Sequence, residues 1–541
     1  MNIKKNPYSF HLYDEEKSAR KLLSLWEENN FSSRLWHKDW SLWGDKLQPE
    51  IIDRLGWLDL PQRMSDRIKP IEDFAQEAKK GEYKDLILIG MGGSSLAPEI
   101  FQKVFKNAPD FPKLTVCDST HPEAVEQIRK SLDLSRTLFI VSSKSGTTLE
   151  TLSLFHYFWF EIKNQGEKPG SHFIAITDYD TPLMKEAQEK GFRKIFNPYP
   201  NIGGRFSALT EFGLVPASLI GVDIKELCEQ AGKGPDLFLG AALGSVGKKR
   251  DKLTFVPSKS LRAFPDWIEQ LVAESLGKEG KGIIPVIDEP LGDVDFKSSD
   301  RFYIYVYLNG EYKDIQKSIK KTRDKKVPCV ETRLRNKYDL GREIYNWETA
   351  VAAAGSYLNV HPFNQPNVQA AKDFTKMVMK DLSQGKDSLK EEIKTFSIRD
   401  DISLKKAVNQ WISEAEKGDY AAVQVYLAPS EKVKQRIQKI RKEIHKKCGI
   451  ATTMGYGPRF LHSTGQLHKG GSNTGLFLQL VDSPTNDIEV PGEDYSFGSI
   501  ITAQSLGDFQ ALRQKGRRIL RIDLNDHPLK GLQKLEKIIE S

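Results

Sequence analysis

Side chains that can bind a phosphate are crowded into one short stretch, TLFIVSSKSGTTLET. An apolar run leads into it, so the polar residues lie where a strand gives way to a helix. Hydroxyls, backbone amides and one ammonium can satisfy the acceptor oxygens of a phosphate dianion. A serine-rich helix cap is the alternative, but a cap needs only one hydroxyl. The stretch, called here the hydroxyl loop, therefore favours a phosphomonoester site formed by Ser142, Ser143, Lys144, Ser145, Thr147 and Thr148.

A glycine-rich turn earlier in the chain has the same strand-to-helix form. In LILIGMGGSSLAPEIF a strand ends at Gly90, and Gly92, Gly93 and Ser94 precede a predicted helix. Glycines let a backbone approach an anion, and free N–H groups at a helix start point toward it. Ser95 replaces the third glycine of a dinucleotide fingerprint, which disfavours NAD, and the GxxxxGK[ST] spacing of an ATP loop is absent. This glycine turn is a second phosphate-binding candidate, unless its glycines serve only tight strand–helix packing.

A candidate acid–base group lies on the amphipathic segment WIEQLVAESLGK at 267–278. Steps of about 100° per residue place Gln270 and Glu274 one turn apart, beyond the edge of an apolar arc, while Glu269 points elsewhere. A carboxylate there could move a proton. From the residues alone, a solvated surface charge is the more common role of such a glutamate.

These residues must be positioned by strands and helices, and the apolar pattern indicates which. From Lys84 onward, short apolar runs alternate with helical segments, which predicts an α/β fold with mostly parallel sheets. We predict a helical N-terminal extension at 1–80, a first phosphate-binding domain at 81–245 and a second α/β domain with a C-terminal extension at 246–541. The polar stretch at 381–405 is predicted to be a connection.

Composition excludes several classes of protein. The 541 residues carry 80 Lys and Arg against 73 Asp and Glu, a net charge of +7, which is too mild to indicate nucleic acid by itself. The four cysteines form no CxxC pair, so neither a disulfide framework nor a zinc site is predicted. No apolar run is long enough for a membrane span and no secretory leader is evident. We therefore expect a cytoplasmic protein.

Taken together, the two loops resemble the sugar isomerase (SIS) domain. Further segments narrow the resemblance to the glucose-6-phosphate isomerase family, and in particular to the isomerase half of bacterial transaldolase/glucose-6-phosphate isomerase fusions. The resemblance covers about residues 35–541, and the segments that carry it are NIGGRFSALTEFGLVP (201–216), WIEQLVAESLGKEGKG (267–282), HPFNQPNVQAAK (361–372) and GYGPRFLHSTGQLHKGG (455–471).

The resemblance implies a function and a fold. It implies two SIS-like doubly wound domains with the active site between them. It also implies that the protein is an enzyme of glycolysis and gluconeogenesis. Glucose 6-phosphate and fructose 6-phosphate would be interconverted by ring opening and proton transfer through a cis-enediol(ate). It further implies a homodimer. We expect no cofactor, no metal and neither a nucleic acid nor a membrane as partner.

The resemblance also implies residue roles. Glu274 matches the base of the family and Arg205 its enediolate-stabilising arginine, and the two glycines before Arg205 would allow close approach. Lys372 is expected to be catalytic as well, although Gln369 stands in its block where many members carry glutamate. The implied substrate-binding residues are Gly93, Ser94, Ser143, Lys144, Ser145, Thr148, Gln270 and Gln365.

Two histidines compete for ring opening, because the order of the motifs differs from that in short bacterial members of the family. There the LHSxGQ segment precedes the lysine block, whereas here it follows Lys372. His462 is the expected residue, provided that the fold returns this loop to Glu274, and His361 is the competitor.

Three other functions stay open from the sequence. An added phosphomannose isomerase activity depends on loop geometry. A non-catalytic sugar-phosphate sensor would keep the hydroxyl loop but would not need Glu274, Arg205 and Lys372 together. The basic helix predicted at 431–447 could contact nucleic acid, although its stripe of Val433, Ile437, Ile440 and Ile444 favours a packed helix with a solvated face.

Overall fold

Three five-stranded sheets form the framework of the part of the chain that the structure describes. The structure is a computed structural model that describes residues 7–81, 83–290, 299–384 and 392–541. The first sheet contains β2 to β6, the second β1 and β7 to β10, and the third β11 to β15. The strands in chain order are β1 Tyr8–His11, β2 Asp85–Gly90, β3 Lys113–Cys117, β4 Thr137–Ser142, β5 Phe173–Ile176, β6 Lys194–Phe196, β7 Lys252–Pro257, β8 Ile284–Val286, β9 Arg301–Leu308, β10 Cys329–Leu334, β11 Phe396–Ser397, β12 Tyr420–Tyr426, β13 Ala451–Tyr456, β14 Gly475–Val481 and β15 Arg518–Asp523.

The same parallel strand order recurs in all three sheets. Numbered from its own first long strand, each sheet has the order 2-1-3-4: β3-β2-β4-β5, β8-β7-β9-β10 and β13-β12-β14-β15. Only the fifth strand differs, since β6 and β11 are parallel to their neighbours whereas β1 is antiparallel to β10. Ligands in doubly wound folds bind where the strand order reverses, beyond the carboxyl ends of strands 1 and 3. We refer to the three α/β units by these sheets.

Helices cover the sheets and connect them. In β2, Leu86, Ile87, Leu88 and Ile89 are all buried, as expected of a strand covered on both faces. The α-helices are Glu16–Glu28, Phe31–Trp36, Leu60–Arg63, Ser65–Lys80, Leu96–Phe105, Pro122–Ser131, Leu149–Asn164, Pro182–Glu189, Glu211–Leu219, Ile224–Ala231, Leu237–Gly247, Phe264–Leu276, Tyr312–Asp324, Asp339–Leu358, Gln369–Ser383, Asp401–Ser413, Glu431–Cys448, Gly465–Gly470, Phe497–Gln514 and Pro528–Glu540.

The α/β class with mostly parallel sheets is confirmed. Residues 246–541, predicted as one domain, hold strands of two sheets, because an apolar pattern identifies strands without saying which sheet each one joins. The extension at 1–80 is largely helical, but it also supplies β1, a four-residue strand too short for a period to show. The domain boundaries themselves stay a prediction, and residues 1–6 lie outside the described part.

Two smaller expectations concern the third unit. Of the predicted connection at 381–405, residues 385–391 lie outside the described part. The rest holds the end of one helix, β11 and the start of the next helix. The basic helix Glu431–Cys448 buries its apolar stripe, as the packed-helix alternative expects.

No helix in the described ranges is long and apolar enough to cross a membrane.

Candidate active site

The two predicted phosphate loops lie side by side in the first unit. β2 and β4 are neighbours in the sheet, and their last residues, Gly90 and Ser142, are paired. The Ser142 hydroxyl donates to the Ser94 carbonyl oxygen at 3.2 Å. Both loops therefore begin at the reversal point of the 2-1-3-4 order, where doubly wound folds bind ligands.

Internal hydrogen bonds shape the hydroxyl loop. The hydroxyls of Ser143 and Thr148 are 3.0 Å apart, and the Gly146 amide donates to Ser143 Oγ at 3.1 Å. Gly146 has φ +66°, a conformation that favours glycine. Ser145 is exposed, whereas Ser143 is buried. Lys144 forms an ion pair with Asp178, a partner that the sequence did not indicate.

The glycine turn brings Arg205 to the phosphate loops. A β-carbon added at Gly93 would lie 2.1 Å from the Gly204 carbonyl oxygen, so only glycine permits this approach. Arg205 follows directly, with its side chain 3% exposed. Nε donates to Ser275 Oγ at 2.8 Å, and one terminal nitrogen donates to Gln365 Oε1 at 2.8 Å. The guanidinium is thereby fixed in position.

Glu274 lies beside the same guanidinium. Its Oε2 is 3.5 Å from the Arg205 terminal nitrogen that also bonds Gln365. Gln270 Nε2 donates to the same Oε2 at 3.2 Å, and it also donates to the His462 carbonyl oxygen at 2.8 Å. Burial lowers the pKa of Arg205, and the charge of Glu274 opposes that shift. The helix Phe264–Leu276 thus presents Gln270 and Glu274 on one face, as its sequence predicts.

His462 lies beside the glycine turn although it is 188 residues beyond Glu274 in the chain. A β-carbon at Gly92 would lie 2.8 Å from the His462 carbonyl oxygen and 2.9 Å from Gln270 Nε2. Its Nε2 is 2.8 Å from Glu150 Oε1. The fold therefore returns the LHSTGQ loop to Glu274, as the assignment of His462 required.

His361, the competitor, is 3% exposed and has both ring nitrogens engaged. Nδ1 accepts from the Phe363 amide at 3.1 Å, and Nε2 contacts the Pro49 carbonyl oxygen at 3.1 Å. Burial lowers the pKa of His361 to about 4. A neutral ring held in this way suits a structural role.

Lys372 and Gln365 come from the segment that leads into the helix Gln369–Ser383. Gln365 is held by Arg205, as described above. Lys372 is exposed, and its charge contributes to lowering the pKa of Glu150, which pairs with His462.

Three residues near the site were missed by the sequence analysis. Glu150, buried in the first turn of the helix after the hydroxyl loop, pairs with His462. Gln504 donates to the same Glu150 oxygen at 2.7 Å. Lys278 is buried and donates to the His361 carbonyl oxygen and to Asn364, so it helps Arg205 hold the segment of Gln365. The position of Glu150 directly after the hydroxyl loop could have identified it as a site residue. Nothing in the sequence around Gln504 indicates a place in the site.

Comparison with known proteins identifies relatives of this chain. The sequence model of the phosphoglucose isomerase family matches residues 59–243. Glucose-6-phosphate isomerase of Methanocaldococcus jannaschii is 30% identical over 345 residues, which cover 54% of this chain and 83% of that protein. The Carboxydothermus hydrogenoformans enzyme is 28% identical over 394 residues, covering 59% and 84%. A Cyanothece enzyme is 32% identical over 248 residues, and the chain spans 46% of its length.

The chain belongs to the glucose-6-phosphate isomerase family. This membership confirms the resemblance found in the sequence and the prediction of an aldose–ketose isomerase. The likeness to the fusion proteins in particular stays a prediction.

Two solved structures show the same fold as this isomerase. A hypothetical protein from Thermus thermophilus aligns with a TM-score of 0.58 and 23% identity, covering 68% of this chain and 99% of that one. Glucose-6-phosphate isomerase of Chlamydia trachomatis aligns with a TM-score of 0.52 and 19% identity, covering 64% and 78%. At such identities the likeness concerns the fold alone.

Proposed function

We propose that the chain interconverts glucose 6-phosphate and fructose 6-phosphate, with Glu274 as the base that moves a proton between C2 and C1. The hydroxyl loop and the glycine turn bind the phosphate through Ser94, Ser143, Ser145 and Thr148. Binding there fixes the carbon chain before any reaction. Gly93 and Lys144 belong to the same two loops and are assigned to substrate binding as well.

The observation that carries the proposal is the placement of Glu274 between two donors. Oε2 faces Arg205 at 3.5 Å and Gln270 at 3.2 Å. A cation and an amide donor thus hold this carboxylate in position, and a carboxylate is a group that can act as a general base. The contact between Gly93 and Gly204 connects this carboxylate to the phosphate loops. The proposed base Glu274, the cation Arg205 and the phosphate loops are thus connected by one continuous set of contacts.

The chemistry follows from these positions. Glu274 takes the C2 proton of the open-chain aldose, and the electron pair moves to give an enediolate. Arg205 stabilises the negative oxygen, because a guanidinium keeps its charge while the proton moves. The O2 hydroxyl proton then passes to O1, and Glu274 returns its proton to C1, so that the C2 carbonyl of the ketose forms. We assign Gln365 to binding the hydroxyls of the substrate and Lys372 to adding positive charge.

Ring opening comes first, and we assign it to His462. Its Nε2 is held by Glu150, so Nδ1 is the atom that exchanges a proton with the ring oxygen and the C1 hydroxyl. His361 is not assigned a role in this step, since both of its nitrogens are engaged elsewhere. No metal is needed in this scheme, and we expect EDTA to leave activity unchanged.

Deuterium exchange tests the proposal directly. Glucose 6-phosphate labelled with deuterium at C2 is incubated with the protein in ordinary water, and the products are followed by NMR. We expect fructose 6-phosphate to form with partial loss of deuterium to water, since a carboxyl group exchanges with solvent between its two steps. Mannose 6-phosphate as a second product would reveal an added epimer activity. Binding of the sugar phosphate without any product would mean a sensor and would contradict the proposal.

We also propose that the protein acts in the cytoplasm as a homodimer, which the family resemblance supports. The chain has a mass of 61.4 kDa, so light scattering of a dimer would report twice that value. The mass of a single chain would reject the dimer without touching the proposed reaction.

A further inference from the structure

We propose that Gln504 is a positioning residue, which holds the Glu150 carboxylate and through it the His462 ring. The inference rests on the proposed function, and extends it to the third unit. Gln504 Nε2 donates to Glu150 Oε1 at 2.7 Å, and the same oxygen receives His462 Nε2 at 2.8 Å. Two donors on one oxygen fix the plane of the carboxylate and the direction of the imidazole.

The orientation of the Gln504 amide is itself fixed. Its Oε1 accepts a hydrogen bond from the Thr120 hydroxyl at 3.2 Å, so Nε2 must face Glu150. Gln504 is 4% exposed and Thr120 is fully buried. A buried amide with both ends engaged has one orientation, which is what precise positioning requires.

Electrostatics explain why a donor is needed at this point. Glu150 is buried, yet its pKa is lowered, chiefly by His462 and with a contribution from Lys372. The Tyr426 hydroxyl also faces this region, and Asp508, one turn beyond Gln504, is paired with Lys469. A neutral amide stabilises the carboxylate without adding a charge that would compete with His462.

The arrangement gives the third unit a role in the reaction. Gln504 lies on the helix Phe497–Gln514, while Glu150 belongs to the first unit. A β-carbon at Gly507, on the same helix, would lie 2.9 Å from the Thr375 amide and 3.0 Å from the Ala371 carbonyl oxygen. The helix Gln369–Ser383, which carries Lys372, therefore packs closely against the helix Phe497–Gln514, which carries Gln504. One element of the third unit thus aligns both His462 and Lys372.

The test compares Gln504→Leu and Gln504→Glu with Gln510→Leu, a matched control on the same helix. Kinetics are measured with fructose 6-phosphate and with 5-deoxyfructose 6-phosphate, which lacks the hydroxyl that closes its ring. We expect Gln504→Leu to lower kcat on the cyclic substrate roughly 10- to 100-fold, as for a lost bond to a buried charge. On the open-chain substrate we expect a change below about threefold, because ring opening is not required. The control variant should match the wild type on both.

Gln504→Glu adds a signature that a structural role would not produce. Two adjacent carboxylates repel at high pH, but once one of them is protonated it can donate to the other. Activity relative to wild type should therefore rise as the pH falls from about 8.5 to 6, while the ratio for Gln504→Leu stays flat. The inference would be overturned if Gln504→Leu lost kcat equally on both substrates, or if folded Gln504→Leu kept the wild-type kcat. It would also be overturned if the activity of Gln504→Glu relative to wild type did not change with pH.

A readout without turnover separates this inference from the proposed function. The ¹⁵N shifts of the His462 ring, assigned by their loss in His462→Gln, report its tautomer. We expect them to move in Gln504→Leu and not in Gln510→Leu. If they move while the wild type shows no isomerase activity, the positioning role stands and the proposed function fails. If they do not move, the positioning role fails whatever the activity.

Discussion

One terminal nitrogen of Arg205 lies 3.5 Å from Oε2 of Glu274 and 2.8 Å from Oε1 of Gln365. The two acceptors come from segments about ninety residues apart in the chain, and the arginine joins them. The guanidinium is buried and its position is fixed by bonds within the protein itself. The proposed base and the proposed stabilising charge are therefore organised before binding, which is the arrangement that electrostatic catalysis requires.

Replacing Glu274 tests the assignment of the base. Glu274→Gln keeps the shape but cannot accept a proton, so we expect kcat to fall about 10²- to 10⁴-fold with little change in stability. Glu269→Gln is the matched control, because Glu269 is on the same helix and faces a separate cavity of about 450 Å³. A coupled assay of fructose 6-phosphate conversion measures both. Activity of Glu274→Gln within threefold of wild type would remove Glu274 from the mechanism.

Arg205→Lys separates charge from geometry. Lysine keeps the positive charge, but it cannot reach Ser275, Gln365 and Glu274 at once. We expect kcat to fall about 10²- to 10³-fold, as when a donor to a developing oxyanion is lost. Melting temperatures and kcat are measured beside Arg436→Lys, a surface variant whose partner is Glu536. Full activity in Arg205→Lys would show that charge alone suffices and that the bonded geometry is unnecessary.

The two histidines should respond differently. We expect His462→Ala to lose activity on cyclic fructose 6-phosphate about 10²-fold or more, and far less on 5-deoxyfructose 6-phosphate. His361→Gln should lower stability, since the bonds to Phe363 and Pro49 are lost, yet its remaining folded fraction should turn over normally. The ratio of kcat on the two substrates is the measurement. A changed ratio in His361→Gln and an unchanged one in His462→Ala would reverse the assignment.

Local pattern predicted the helix of Glu274 well, because a period of 3.6 residues fixes which side chains share a face. The sequence places Gln270 and Glu274 on one face. In the structure Glu274 contacts Arg205, and Gln270 donates to the His462 carbonyl oxygen. Contacts between units could not be predicted in this way. Gln504 and Glu150 are 354 residues apart, and no spacing rule connects them. The third sheet was missed for the same reason, since pairing between distant strands leaves no local signal, whereas the edge strand β1 is too short for a period to show.

Hydroxyl removal in the phosphate loop should weaken substrate binding. Ser143→Ala loses an oxygen that bonds Thr148 and the Gly146 amide, so we expect kcat/KM to fall about tenfold. Inorganic phosphate should inhibit the variant less than the wild type. Ser131→Ala, whose hydroxyl bonds only the end of its own helix at the surface, serves as control. Unchanged inhibition by phosphate would place the anion elsewhere.

The control residue Glu269 makes a separate prediction about stability. Burial, together with the nearby charge of Asp266, raises the pKa of Glu269 from 4.5 to about 8. A carboxyl whose pKa rises on folding takes up a proton between those values, so its contribution to the free energy of unfolding falls as the pH increases across that window and levels off above about 8. Below about 4.5 both states bind the proton and the effect vanishes.

Glu269→Gln removes this proton uptake. The free energy of unfolding of Glu269→Gln minus that of the wild type should be smallest near pH 4.5. This difference should grow by roughly 1 kcal/mol per pH unit toward pH 8. Urea unfolding at several pH values measures the difference, and Glu279→Gln, a variant of an exposed glutamate, provides the baseline. A difference that is flat with pH, or that shrinks toward pH 8, would mean that Glu269 ionises in the folded protein as freely as in the unfolded chain.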